Sequence, residues 1–81
     1  MSKERQLSEL KQEIRFLAIE KESCITGIEY SLKTSDWLHI QKCAKRLVEI
    51  EGLLNAKGER LLILSYEVAE EQRISALELI S

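Results

Sequence analysis

The sequence predicts an all-α protein, an antiparallel, coiled-coil-like helical hairpin with a C-terminal third helix or helix extension. Three observations support this prediction. The 81 residues include no proline and only three glycines, so few residues interrupt a helix. Apolar side chains recur in two long segments at alternating spacings of three and four residues, which places them on one helix face. A short polar segment between them supplies a turn. We therefore expect a single helical domain over residues 1–81.

The first predicted helix covers residues 2–33. Its a and d heptad positions are apolar except at Lys21, and this regular stripe predicts packing against a second helix. The apolar residues of the stripe are Leu7, Leu10, Ile14, Leu17, Cys24 and Ile28. Phe16 and Ile19 lie off the stripe and form a second apolar edge, which a contact between two helices leaves exposed.

The second predicted helix covers residues 36–57 and folds back on the first. Thr34 or Ser35 can cap this helix, and Asp36 places a negative charge in its first turn, where the helix dipole favours it. Its apolar stripe supplies the other half of the core with Ile40, Cys43, Leu47, Ile50 and Leu54.

The remaining segment, residues 59–80, allows two interpretations. Residues 55–58 are typical of a helix end because Gly58 follows three residues that can close the last turn. The apolar stripe nevertheless continues in phase through Leu61, Leu64 and Val68. Beyond these, Ile74, Leu77 and Ile80 fall on a shifted face. We expect a separate third helix over residues 59–80, with a continuous second helix as the alternative.

The charge pattern disfavours nucleic acid and membranes as partners. Twelve basic and 14 acidic residues, a formal net charge of −2, are interleaved along the chain and leave no basic face for phosphates. The longest apolar run, residues 61–64, is too short to cross a bilayer, and the charged N-terminal segment lacks the apolar core of a signal peptide. We expect a cytoplasmic protein without membrane insertion.

The chain offers no constellation of residues suited to catalysis. Carboxylates such as Glu49 and Glu51 alternate with basic residues on faces expected to be solvated. The hairpin brings Cys24, Cys43 and His39 to a similar level, so a metal site or a disulfide is conceivable. A structural zinc site needs four ligands, however, and we expect packed free thiols. The sequence thus predicts a non-enzymatic protein with no cofactor, metal or small-molecule substrate.

Apolar residues outside the two stripes predict where the protein interacts. A hairpin of this length leaves them uncovered, so we expect a protein partner, a homo-oligomer (a dimer) or both. The predicted partner interface consists of Phe16, Ile19, Trp37, Leu62, Ile63, Tyr66, Ile74 and Leu77. Gly27 and Gly52 interrupt otherwise regular helices, and we expect another helix to approach each of them closely.

The second predicted helix begins with Trp37 and Gln41, followed by the basic residue Lys45. The aliphatic residues that complete this pattern are Leu47, Ile50, Leu53 and Leu54. Over roughly residues 10–57 the chain resembles the small E-type co-chaperones of type III secretion needles. The resemblance implies a cytosolic hairpin that pairs with a larger helical-repeat chaperone. Together the two would hold the needle subunit unpolymerised by masking an apolar helix.

Two other functions are compatible with the same pattern. A self-associating bundle would pack two hairpins into a four-helix dimer, as plasmid and phage regulators do. An inhibitor from a phage or another mobile element would clamp a host enzyme. All three functions depend on helix-against-helix packing, and the sequence alone does not choose between them.

Overall fold

Two antiparallel helices joined by a tight turn form the structure, a computed structural model that describes residues 2–80. Helix α1 spans Lys3–Thr34 and helix α2 spans Trp37–Ile80. They pack side by side into a rod of 68 × 18 × 15 Å. The predicted all-α hairpin is confirmed. Among the described residues, no helix combines the length and the apolar character needed to cross a membrane.

Both ends of α1 are capped. Ser2 is extended, and its hydroxyl accepts a hydrogen bond from the backbone N–H of Arg5 (3.2 Å). Glu4 adds negative charge to the first turn, where the helix dipole favours it. At the other end, Ser35 adopts the left-handed conformation (φ 56°), and its N–H donates to the carbonyl oxygen of Ser31. This left-handed residue ends α1 and starts the turn.

Asp36 caps α2, whereas the sequence had suggested Thr34 or Ser35. The Asp36 carboxylate accepts a hydrogen bond from the backbone N–H of His39 (3.2 Å), and so satisfies an N–H that has no partner within the helix. The prediction was wrong because Thr34 is still part of α1 and Ser35 ends that helix. Neither residue is therefore placed to cap the helix that follows.

The core is a single seam between the two helices. Ile50 is fully buried and Leu10 is 8% exposed. The other residues of the two predicted stripes are half-buried: Leu7, Ile14, Leu17, Cys24, Ile28, Ile40, Cys43, Leu47 and Leu54. Complete burial of an aliphatic side chain stabilises a protein by about 1.5–3 kcal/mol. The seam therefore depends most on the few side chains that α1 and α2 enclose completely, above all Ile50.

Residues 59–80 continue α2, so the predicted separate third helix is wrong and the alternative, a helix extension, is correct. The helix passes through Gly58 because α1 reaches far enough to cover the next turns. Leu64 and Val68 are only 3% and 8% exposed, and they extend the same core seam. Their burial offsets the roughly 1 kcal/mol that a glycine costs inside a helix.

Ion pairs between the helices mark their register. Lys57 Nζ lies 2.8 Å from Glu13 Oε2. Near the start of α1, Lys3 Nζ lies 2.9 Å from Glu71 Oε1 and 3.6 Å from Glu67 Oε2. The first turn of α1 is therefore level with residues 67–71 of α2, and α2 extends beyond this point without an opposing helix.

The three glycines of the helices have different surroundings. A Cβ atom added to Gly27 would lie 3.2 Å from Cys43 Sγ and 3.5 Å from His39 Nε2. The predicted close approach of another helix is therefore confirmed at Gly27. At Gly52 and Gly58 an added Cβ would meet nothing within 4 Å, so at Gly52 the predicted helix does not come from within the hairpin. Both of these glycines are exposed.

Candidate functional site

The eight residues predicted to form a partner interface are all exposed. Their exposed fractions range from 49% for Ile74 to 73% for Leu62. They do not form one patch, because their heptad positions distribute them over three surfaces of the hairpin. Two lie on α1, and the other six lie on two different sides of α2.

Phe16 and Ile19 belong to an uncharged stripe on the side of α1 that faces away from α2. This stripe, the α1 outer stripe, consists of Gln12, Phe16, Ile19, Ser23, Thr26 and Tyr30, all of them exposed. The charged residues Glu9 and Lys33 bound it at its two ends. The stripe repeats the three-and-four spacing of the core seam, so α1 has two faces suited to helix packing and α2 covers one.

Trp37, Leu62 and Tyr66 belong to a longer surface on the outward side of α2. This surface, the α2 outer face, includes the exposed uncharged residues Trp37, Leu38, Gln41, Val48, Gly52, Asn55, Gly58, Leu62, Tyr66 and Ala69, with the charged residues Lys45 and Glu59 among them. At its end near the turn lies an open concavity of about 960 Å³. The concavity is lined by Leu38, Gln41, Lys42, Ala44, Lys45, Val48 and Glu49.

Ile63, Ile74 and Leu77 lie on a different side of α2. Together with Leu53 they form the α2 side face, whose four side chains are 42% to 55% exposed. Leu62 and Ile63 are adjacent in sequence but lie on different surfaces, because consecutive residues of a helix point about 100° apart. A substitution at one of these two positions therefore tests one surface without altering the other.

The last turns of α2 have no opposing helix. Lys3, in the first turn of α1, contacts Glu71, and the residues that follow it, 72–80, form a segment that we term the tail. All of them are exposed, with Leu79 at 88% and Ile80 at 84%. At a rise of about 1.5 Å per residue, the tail extends about 13 Å beyond α1.

The candidate metal ligands are brought only partly together. His39 Nε2 lies 3.5 Å from Cys43 Sγ, the contact expected for residues four apart on one helix. Cys24 and Cys43 are both free thiols, as predicted. Within residues 2–80, no group of three or more histidine, cysteine, aspartate or glutamate side chains is arranged to hold a metal ion. The pair supports packing of the seam near Gly27.

Two ion pairs cross the middle of the hairpin and perturb ionisation. The Arg46 guanidinium donates hydrogen bonds to both carboxylate oxygens of Glu20, one of them over 2.9 Å, and this lowers the pKa of Glu20. The same hydrogen bonds raise the pKa of Arg46. Lys21 Nζ lies 2.6 Å from Glu51 Oε1, and this hydrogen bond raises the pKa of Lys21. These ion pairs link the two helices along their exposed edges.

Sequence reasoning missed part of the α2 outer face. Val48 is 74% exposed and Leu38 is 64% exposed, yet neither was assigned to an interface. A signal was present, because Val48, Asn55 and Leu62 recur every seven residues, the same period as the core stripe. When one heptad-spaced set of apolar residues already packs against α1, a second such set on the same helix indicates a second packing face.

The exposed surfaces described above follow from this chain's own geometry and exposure. Comparisons with protein-family models, with curated proteins and with solved structures find no match to this chain.

Proposed function

We propose that this protein is a non-enzymatic interaction module that binds a partner protein by packing helix against helix. The proposal is carried by one observation. Among the described residues, 15 large hydrophobic side chains are exposed, whereas four are buried. Isolated exposed apolar residues are normal on a protein surface, but here they recur at helical spacing along whole faces.

The accessible surface area supports the proposal. It is 6346 Å², whereas a compact protein of 9.4 kDa is expected to expose roughly 5,000 Å². The excess of about 1,300 Å² is larger than the roughly 800 Å² that each partner buries in a standard protein–protein interface. A two-helix rod has too few layers to enclose its apolar residues, and a further helical layer would cover them.

The α2 side face and the tail are the surfaces best suited to a helix from a different protein. Two residues of the side face, Ile74 and Leu77, also belong to the tail, where no helix opposes α2. A partner helix laid along the shifted apolar face of the tail would cover Ile74, Leu77 and Ile80. Amphipathic helices are bound in this way by anchors spaced three and four residues apart.

A more specific form of the proposal is a secretion co-chaperone that masks an apolar helix of its partner. It rests on the resemblance to E-type co-chaperones, whose matching residues divide into two groups. Leu47, Ile50 and Leu54 pack towards α1. The exposed ones, available to a larger partner, are Trp37, Gln41, Lys45 and Leu53. An inhibitor of a host enzyme would use the same exposed residues, and the identity of the partner separates the two.

The test combines light scattering, circular dichroism and binding of the dye 1-anilinonaphthalene-8-sulfonate on the purified full chain. We expect the dilute chain to bind the dye, and expect Ile63→Asp combined with Leu77→Asp to lower dye binding several-fold at unchanged helicity. Ser8→Asp combined with Ala18→Asp is the matched control, because it adds the same two charges at exposed positions of α1, away from both surfaces. A folded chain that stays monomeric and binds no dye would contradict the proposed function.

A further inference from the structure

We propose that the α2 outer face binds the same face of a second copy, so that two hairpins associate through antiparallel α2 helices about a two-fold axis at Asn55. The inference rests on the proposed function and names one partner, the chain itself. It uses the outer face, including Trp37 and Gln41, and leaves the side face with Leu53 and the tail free for a different protein.

The middle of the outer face, from Val48 to Leu62, is symmetric about Asn55. Gly52 and Gly58 stand three residues before and after it, and Val48 and Leu62 stand seven residues before and after it. In a two-fold interface each residue meets its counterpart across the axis. Gly52 would therefore lie opposite Gly58 of the second copy. Likewise, Val48 would lie opposite Leu62 of the second copy.

Contacts within a single hairpin do not explain why residues 52 and 58 are glycines. Gly27 makes room for Cys43, but the space outside Gly52 and Gly58 is open. Glycine weakens a helix, and its lack of a side chain lets two helix backbones approach closely. Two glycines on either side of Asn55 would permit such an approach where the two α2 helices cross.

The charge distribution sets a condition on self-pairing of this face. The named residues are uncharged, but Lys45 and Glu59 are exposed on the same side of α2. In the antiparallel direction Glu59 would come level with Glu51 of the second copy. Their repulsion is reduced because Glu51 already pairs with Lys21 at 2.6 Å.

The size of the face agrees with that of a stable dimer interface. Its four largest aliphatic and phenolic side chains, Leu38, Val48, Leu62 and Tyr66, are 64% to 74% exposed. The excess surface of about 1,300 Å² leaves room for an interface of roughly 800 Å² per copy. In the two-fold arrangement the second copy would also cover the concavity. Its Ala69 would come level with Gln41, which lines the concavity.

The first experiment measures the dissociation constant of the dimer by light scattering and sedimentation over a wide range of concentrations. We compare the natural chain with Gly52→Leu and Gly58→Leu. Both positions are exposed, and a Cβ added at either meets nothing within 4 Å. We expect each to weaken the dimer at least tenfold while helicity is retained or rises. Ala56→Leu adds the same side chain on another side of the helix and should leave the dimer intact.

The second experiment places a thiol on the predicted axis. In a chain carrying Cys24→Ser and Cys43→Ser, Asn55→Cys should form an intermolecular disulfide rapidly, because a residue on a two-fold axis faces its own copy. Ala56→Cys is the matched control and should crosslink slowly.

The outcomes separate this inference from the proposed function. A dimer that is weakened by the glycine substitutions and crosslinked through position 55 supports the inference. A dimer insensitive to both overturns the assignment of the face, although helix-mediated association remains. A natural chain that is monomeric at all concentrations but binds the dye overturns the inference and leaves the proposed function standing. A folded monomer that binds no dye overturns both.

Discussion

The two sides of α2 differ in how far the hairpin accounts for them. On the inner side, Ile50, Leu64 and Val68 are buried against α1. On the outer side, Val48 and Leu62 are of the same chemical class and recur at the same heptad spacing, but are 74% and 73% exposed. An apolar stripe thus shows that a helix face is suited to packing, whereas only the fold shows whether the chain itself supplies the helix that covers it.

The largest expected effect distinguishes the inner side from the outer side. Ile50→Ala removes a fully buried side chain and should lower the free energy of unfolding by about 2–5 kcal/mol. Val48→Ala, two residues away and exposed, should change it by less than about 0.5 kcal/mol. Urea denaturation should be measured on dilute, monomeric chain. Comparable losses at both positions would mean that the monomer already buries its outer face.

A second prediction compares two glycines. Gly58→Ala should stabilise the dilute hairpin by about 1 kcal/mol, because alanine favours the helix and its Cβ points into open space. Gly27→Ala should gain less or lose stability, since its Cβ would lie 3.2 Å from Cys43 Sγ. Thermal unfolding followed by circular dichroism measures both. An equal gain at the two positions would show that α1 and α2 lie farther apart at Gly27 than in this structure.

Much of the fold was predictable from the sequence because a heptad stripe is a direct consequence of helix geometry. All eleven predicted core residues face the seam for this reason. The end of α2 was not predictable from local signals. Gly58 and its neighbours resemble a helix end, and only the length of α1 determines that Leu64 and Val68 are covered. The capping role of Asp36 likewise depends on where α1 stops.

The candidate site was predictable in part. Exposure of Trp37, Tyr66 and Ile74 follows from their positions off the core stripe. The division of these residues into separate surfaces required the register of the two helices, which long-range pairs such as Lys57 with Glu13 mark and no local pattern reveals. A single chain does not identify the partner of each surface. An apolar face shows the chemistry that a partner must have, but not which protein the partner is.

A third prediction concerns the ion pairs along the seam, where effects should be smaller because the groups are exposed to solvent. Arg46 lowers the pKa of Glu20 below its ordinary value of 4.5, so the stability it contributes is present above that pH and lost as the pH falls through the lowered pKa. Glu51 raises the pKa of Lys21 above 10.5, so that contribution is present below pH 10.5 and lost as the pH rises through the raised pKa. Urea midpoints should form a plateau between these limits.

The acid side of this plateau provides its own control. Glu20→Gln and Arg46→Gln should each reduce the loss of stability on acidification, and the double variant should add little to either, because both remove the same interaction. The midpoints of all four chains should be measured across the acid range. Additive effects of the two substitutions would show that the loss at low pH arises elsewhere.

The smallest effect is expected in the tail, which contrasts with the part of α2 that α1 covers. Leu79→Ser replaces a side chain that is 88% exposed, so the free energy of unfolding of the dilute chain should change by less than about 0.5 kcal/mol. Leu64→Ser, the matched substitution at a residue that is 3% exposed, should cost several times more, since it leaves a cavity and a hydroxyl in the seam. If Leu79→Ser proves as costly as Leu64→Ser, the tail must already be packed in the isolated chain, and the surface proposed for a partner helix would be occupied before the partner arrives.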